Sequence, residues 1–394
     1  MKKILYSTTA LAAAGLLALM PADAMAQKKA KKKVSGDKIK LKVGGYMETR
    51  LSWSDQEGSY ETALSLSWDS FNIVNDSEIY FTGSTQLDNG IKISTVVQLE
   101  ADWAQSKGAA GATTAMVDES YIKFTGGFGD LRIGHHPHAS FYMDIHAPST
   151  GIMINANPDA LDLLVAPAAV SGPGGGSRDV TIGKGDDELK ISYRSPRFAG
   201  FQIGGSYKPD TAMGDTVPAP GGTAGASVAR TVAGAVNYTQ KFGGVGIRLG
   251  VDFANWAGSA TANDAGDNHL FHTGAEISYA GFTVGGDFGS ISANTGGGVL
   301  TSHDVEGWSI GARYATGPWT VATNYYHNEH EGLIGDPGED ETTQFGVQAR
   351  YKLGPGVYVG ANLNWIEWED EAATTTDANN NEGWLFVTGL RVSF

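Results

Sequence analysis

The stretch GWLFVTGLRVSF, Gly383–Phe394, decides the fold. It alternates to its last residue. Phe386, Thr388, Leu390, Val392 and Phe394 share one face, and Val387, Gly389, Arg391 and Ser393 share the other. A period of two is that of a β-strand, here with one apolar and one wet face. Soluble domains commonly fray into polar residues at their ends. A strand that stays apolar to Phe394 points to a different surrounding.

Working back from that stretch, alternating segments separated by turn residues recur as far as Lys38. They predict sixteen strands, near 39–54, 76–87, 91–102, 116–125, 130–136, 187–194, 201–208, 230–240, 245–257, 269–279, 282–291, 304–315, 319–330, 342–353, 357–369 and 382–394. The connections alternate between short turns, such as DNG (Asp88–Gly90) and GPG (Gly354–Gly356), and long polar loops, such as SDQEGSYETALSLSWDSFN. An all-β, 16-stranded antiparallel up-and-down transmembrane barrel alternates in this way, with tight turns at one rim and loops at the other. Trp53, Trp308, Trp319, Trp365 and Trp384 fall near strand ends, as in an interfacial girdle. A soluble sandwich or propeller is the alternative, but no blade-like repeat is visible.

The front of the chain addresses it to export. Lys2 and Lys3 precede an apolar run from Ile4 to Met20, and ADAMAQ places Ala24 and Ala26 before Gln27. This pattern predicts a signal peptide over 1–26, with a membrane anchor as the alternative reading of a run short for a span. The following QKKAKKK, within a basic segment 27–37, reads as a disordered, solvated tail, with weak contact to a polyanion or anionic lipid heads as the alternative. The chain has 54 Gly and no Cys, so disulfides contribute nothing. Its net charge of −15 argues against a nucleic-acid partner.

With these features together, the opening KLKVGGYMETRLSW, the sixteen strands and the terminal Phe394, the chain resembles the trimeric porins of Gram-negative outer membranes, alphaproteobacterial porins above all. The resemblance implies a homotrimer in outer-membrane lipid. It implies passive diffusion of ions and small hydrophilic solutes, without catalysis or cofactor. It also implies that Phe394 is the assembly signal read by the barrel-assembly machinery. A substrate-selective channel for anions or sugars is the alternative, with Tyr325, Tyr326 and Trp365 as a stacking track. A barrel hydrolase using His135 or His136 is a third reading, but spacing shows no Ser–His pair.

One connection, about 136–186, is far longer than the rest, which marks a functional element. In NANPDALDLLV, Asn157 suits an N-cap, Pro158 the first turn and Asp159 the positive helix end, predicting a short helix. By resemblance, this loop folds into the barrel. Asp144, Asp159, Asp162 and Asp179 are then candidate constriction acids; an external loop at a subunit contact is the alternative.

Keeping apolar residues toward lipid turns a set of bases inward: Lys42, Arg50, Lys92, Lys123, Arg132, Lys190, Arg194, Arg248, Arg313, Arg350 and Arg391. A lipid-facing Arg at midplane costs roughly 2–4 kcal/mol, whereas one at the rim can snorkel. Several of these bases crowd the short-turn ends, while acids such as Asp76, Glu78, Glu100, Asp118 and Asp187 crowd the loop ends. HHPH (His135, His136, His138) is the best local metal motif, but neighbouring strand residues point to opposite faces, so no metal is expected there.

Overall fold

The computed structural model describes residues 38–65, 67–101, 117–153, 163–167, 170, 187–209, 230–257, 267–293, 303–331, 338–370 and 376–394. The expected signal peptide, the basic segment and most of the expected loop helix lie outside the described residues.

The sixteen predicted strands form one closed antiparallel barrel. They are β1 (Lys40–Gln56), β2 (Phe71–Gln86), β3 (Lys92–Glu100), β4 (Val117–Gly126), β5 (Gly129–His135), β6 (Leu189–Arg194), β7 (Phe201–Lys208) and β8 (Thr231–Phe242). Then follow β9 (Val245–Ala257), β10 (Asp267–Tyr279), β11 (Phe282–Ala293), β12 (His303–Thr316), β13 (Trp319–Glu331), β14 (Glu339–Gly354), β15 (Val357–Glu369) and β16 (Asn381–Ser393). Each strand pairs with its chain neighbours, and β16 closes against β1 from Tyr46↔Ser393 to Gln56↔Gly383. Closure matters because hydrocarbon offers no partner to a free strand edge. Phe394 continues the seam: its N–H donates to the Gly45 carbonyl at 3.0 Å, and its carbonyl accepts from the Gly45 N–H at 3.1 Å.

The barrel is apolar outside and polar inside. Leu41, Val43, Phe253, Ile277, Leu363 and Leu390 are exposed on the outer face. Asn324, Gln344, Gln348 and Asn364, by contrast, are buried on the inner one. That inversion suits a wall between lipid and water. Tryptophans mark both rims, Trp53 beside Phe71 and Phe386 at one, Trp319 beside Tyr351 at the other.

Two details depart from the sequence reading. Strand β2 starts at Phe71 rather than near 76, because Phe71 and Ile73 extend the outer apolar face opposite Trp53 and Leu51. The connection before it holds a short helix, α1 (Gly58–Leu64), whose buried Tyr60 stacks on Trp68 at 5.7 Å. The buried Tyr60 ring and the half-buried Trp68 ring give apolar contact to a segment read as an open polar loop.

Candidate functional site

Inside the barrel, the described part of the long connection follows the inner wall. Its contacts run in chain order. The Ala139 N–H donates to Ser206 Oγ of β7 (2.7 Å), and Asn237 Nδ2 of β8 donates to the Met143 carbonyl (3.0 Å). The Ala147 N–H reaches Asp287 Oδ1 of β11 and Ser309 Oγ of β12, both at 3.3 Å. The Thr150 N–H donates to Gln348 Oε1 of β14 (3.0 Å), and the Met153 N–H to Glu48 Oε1 of β1 (3.0 Å). Each acceptor or donor on the wall is an inward side chain of its strand. A loop that cannot continue the sheet ladder thus has its polar backbone satisfied by the wall.

Glycines let it lie close. A β-carbon at Gly274 would collide with the Ile145 carbonyl, and one at Gly204 with the Met143 sulfur. At Gly360 it would stand 2.9 Å from Ile152 and Met153. Farther on, Leu164 and Val170 pack on Ile366, Trp368, Leu385 and Val387, an apolar patch on the inner wall. The face of β16 that the alternation marks as wet is therefore partly covered by this connection.

Six of the eleven bases, Arg50, Lys123, Arg132, Arg194, Arg248 and Arg391, stand at carboxylates. Arg50 bridges Glu48 (2.7 Å) and Asp76 (2.5 Å). Arg391 reaches Glu48 at 3.3 Å and lies over the Tyr46 ring. Lys123, Arg132 and Arg194 surround Asp130 at 2.8, 3.0 and 3.8 Å, with Arg132 and Arg194 over the Tyr142 ring of the long connection. Arg248 pairs with Glu276. Lys190 is buried and donates to the His136 carbonyl at 2.7 Å, under the connection rather than along open lumen. Lys42 and Lys92 are exposed near the short-turn rim. Arg313 and Arg350 are different: among the described residues neither has a carboxylate at salt-bridge distance. Arg313 donates to the Ser149 carbonyl and Thr283, and Arg350 to Thr320 beside the Tyr358 ring.

Of the candidate loop acids, Asp144 meets His146 Nε2 at 3.2 Å, while Asp159, Asp162 and Asp179 lie outside the described residues. In the HHPH motif, His135 Nδ1 faces the Asp187 carbonyl at 3.0 Å, and His136 and His138 are buried. Burial, with Lys190 nearby, drives both of the latter imidazoles down to about 3, so they are neutral. Asp187, at the loop end of β6, is pushed up to about 8, by burial first and then by Asp118 and Glu119.

Sequence reading missed Glu48, Asp130 and Glu276, the partners of the bases. The inward phase that assigns Arg50 and Arg132 also assigns Glu48 and Asp130, two residues away, so the signal was present. It also missed a cluster of His146, His272, Asp252 and Asp287. The aromatic track fails on orientation. Only Tyr326 faces in; Tyr325 packs on Trp308 outside (5.1 Å), and Trp365 sits opposite Trp384 on the lipid face.

Residues 7–371 match the family described as Gram-negative porin. An anion-selective porin from Comamonas acidovorans shares the fold at 17% identity and a TM-score of 0.61, covering 91% of this chain and 100% of that one. OmpT of Vibrio cholerae, in its trimer form, matches at 12% identity and TM-score 0.57, covering 90% and 99%. OmpF of Salmonella typhi, in complex with daunomycin, matches at 12% and 0.58, covering 90% and 97%. No curated protein sequence matches the chain. With a closed sixteen-strand barrel, a polar lumen and a family match across most of its length, the chain belongs to the Gram-negative porins and is an outer-membrane channel for passive diffusion of ions and small hydrophilic solutes.

Proposed function

We propose that the long connection is the constriction of this channel and that charge beside it sets ion preference. The supporting observation is the series of bonds from Ala139 to Met153 around the inner wall. A segment so placed takes cross-section from the lumen. Arg313 and Arg350 flank its Ser149–Gly151 stretch without a described carboxylate partner, so their positive field acts on passing ions. Arg50, Arg132 and Arg248 are largely neutralised by their partners. On this reading the pore is acidic at the loop mouth, through Glu78, Glu100 and Asp118, and basic near the turns.

The chain works as a homotrimer, as OmpT of Vibrio cholerae does in its trimer form. It reaches the membrane behind a cleaved signal peptide at 1–26, is inserted by the assembly machinery through Phe394, and is surrounded by outer-membrane lipid. The test is bilayer conductance with a salt gradient and a panel of neutral sugars. Replacing Arg313 and Arg350 by Gln should shift the reversal potential toward cations. An unchanged potential would show that these arginines do not govern selectivity.

A further inference from the structure

We propose that His146, His272 and Asp287 form a zinc site that clamps the constriction loop to the barrel wall. The donor atoms of the three residues lie within 4.8 Å of one another. His146 Nδ1 and His272 Nε2 each stand 3.2 Å from the same oxygen, Asp287 Oδ2. Metal–ligand bonds of about 2.0–2.2 Å at tetrahedral angles give ligand–ligand edges of roughly 3.3 Å. The two spacings match such an edge. Both also satisfy the geometry of long N–H···O hydrogen bonds, so the metal and the proton compete for the same three atoms.

The outer ring of groups points the same way. Each imidazole turns its other nitrogen to a second carboxylate: His272 Nδ1 to Asp252 Oδ2 at 2.8 Å, and His146 Nε2 to Asp144 Oδ2 at 3.2 Å. A carboxylate behind a metal-binding histidine fixes its tautomer and raises its basicity. Here His272 has one at hydrogen-bonding geometry, and Asp144 stands at ion-pair distance behind His146. The free side of Asp287 is held as well, since its Oδ1 accepts from Ser309 Oγ and the Ala147 N–H.

Three carboxylates, Asp144, Asp252 and Asp287, meet two imidazoles in a place where His272 and Asp252 are almost wholly buried. Two nitrogen donors and one oxygen suit zinc and its first-row neighbours, and disfavour calcium and magnesium, which take oxygen ligands. His146 comes from the long connection, whereas His272 and Asp287 come from β10 and β11. One ion would therefore join the loop to the wall.

The experiment uses the untagged, folded barrel, stripped with a chelator and checked for heat-modifiable migration. Zinc is titrated by calorimetry, and cobalt is used as a spectroscopic stand-in. The expected result is one zinc per chain, a tetrahedral cobalt absorption spectrum, and no displacement by millimolar calcium. His146→Gln, which alters only the loop, and Asp287→Asn should each weaken binding at least tenfold, while His138→Gln should not. Absence of stoichiometric zinc in the folded wild type, or undiminished affinity in His146→Gln, overturns the proposal. The cluster would then be held by protons alone. Loss of ion selectivity or of constriction in other experiments would leave this outcome unaffected, so the site stands or falls on its own.

Discussion

At the residue scale, phase decides whether a charge faces lipid or water, and partners decide how much of it an ion feels. Arg132 and Arg194 share Asp130, and removing either base leaves a half-buried carboxylate less well paired. Arg313 and Arg350 lack such a described partner, so their loss should act on ions rather than on stability. Asp187 makes a pH-dependent contribution. Its carboxyl, raised to about 8, is protonated at pH 6 and charged at pH 9. The loop mouth should gain negative charge as pH rises through that window, and cation preference should rise with it. In Asp187→Asn the change between pH 6 and 9 should shrink, as read by reversal potential at low salt. A persistent full shift would assign the titration to another group.

At the element scale, the loop and the wall fit because glycine leaves room. The three atoms nearest to a β-carbon at Gly274 all belong to Ile145. Gly274→Val should therefore push the loop off β10 and raise single-channel conductance and the size limit for sugars. The barrel should remain folded, because its ladder bonds to β9 and β11 use backbone only. Heat-modifiable, protease-resistant protein at wild-type yield checks folding; unchanged conductance would mean that the loop stays in place or does not limit flow. The buried apolar patch formed by Leu164, Val170, Trp368 and Leu385 supplies a second anchor. Leu385→Ala, a buried truncation of the kind that typically costs about 2–5 kcal/mol in soluble cores, should loosen that anchor without touching the lipid face.

At the scale of the whole molecule, closure is the global property of the fold, and charge asymmetry is the one proposed for the pore. Closure rests on the β1–β16 seam, where Phe394 makes the last pair of backbone bonds while its ring stays exposed. Phe394→Ser keeps those bonds and removes the ring. It should lower the amount of folded barrel in the outer membrane while leaving the stability of barrels that do fold little changed. Equal membrane levels would remove the ring as an assembly signal. The proposed unequal charge along the axis should make an oriented channel rectify at low salt. The asymmetry should fade toward 1 M, as the screening length falls from about 30 Å at 0.01 M to about 3 Å. A linear current–voltage curve at 0.01 M would contradict it.

The strands and the closed barrel were legible in sequence, because alternation with period two is a local property and lipid on one side enforces it along every strand. From the same alternation, Arg50 and Arg132 could be turned inward, and Glu48 and Asp130 could have been. Tyr325 and Trp365 show where local reading fails when phase is not applied: both alternate outward. The path of the long connection, the burial of Lys190 beneath it, and the meeting of His146 with His272 and Asp287 depended on tertiary structure alone. Those contacts join residues far apart in the chain, through a loop with no period of its own. Their geometry follows from the curvature of the closed wall, which no single segment encodes.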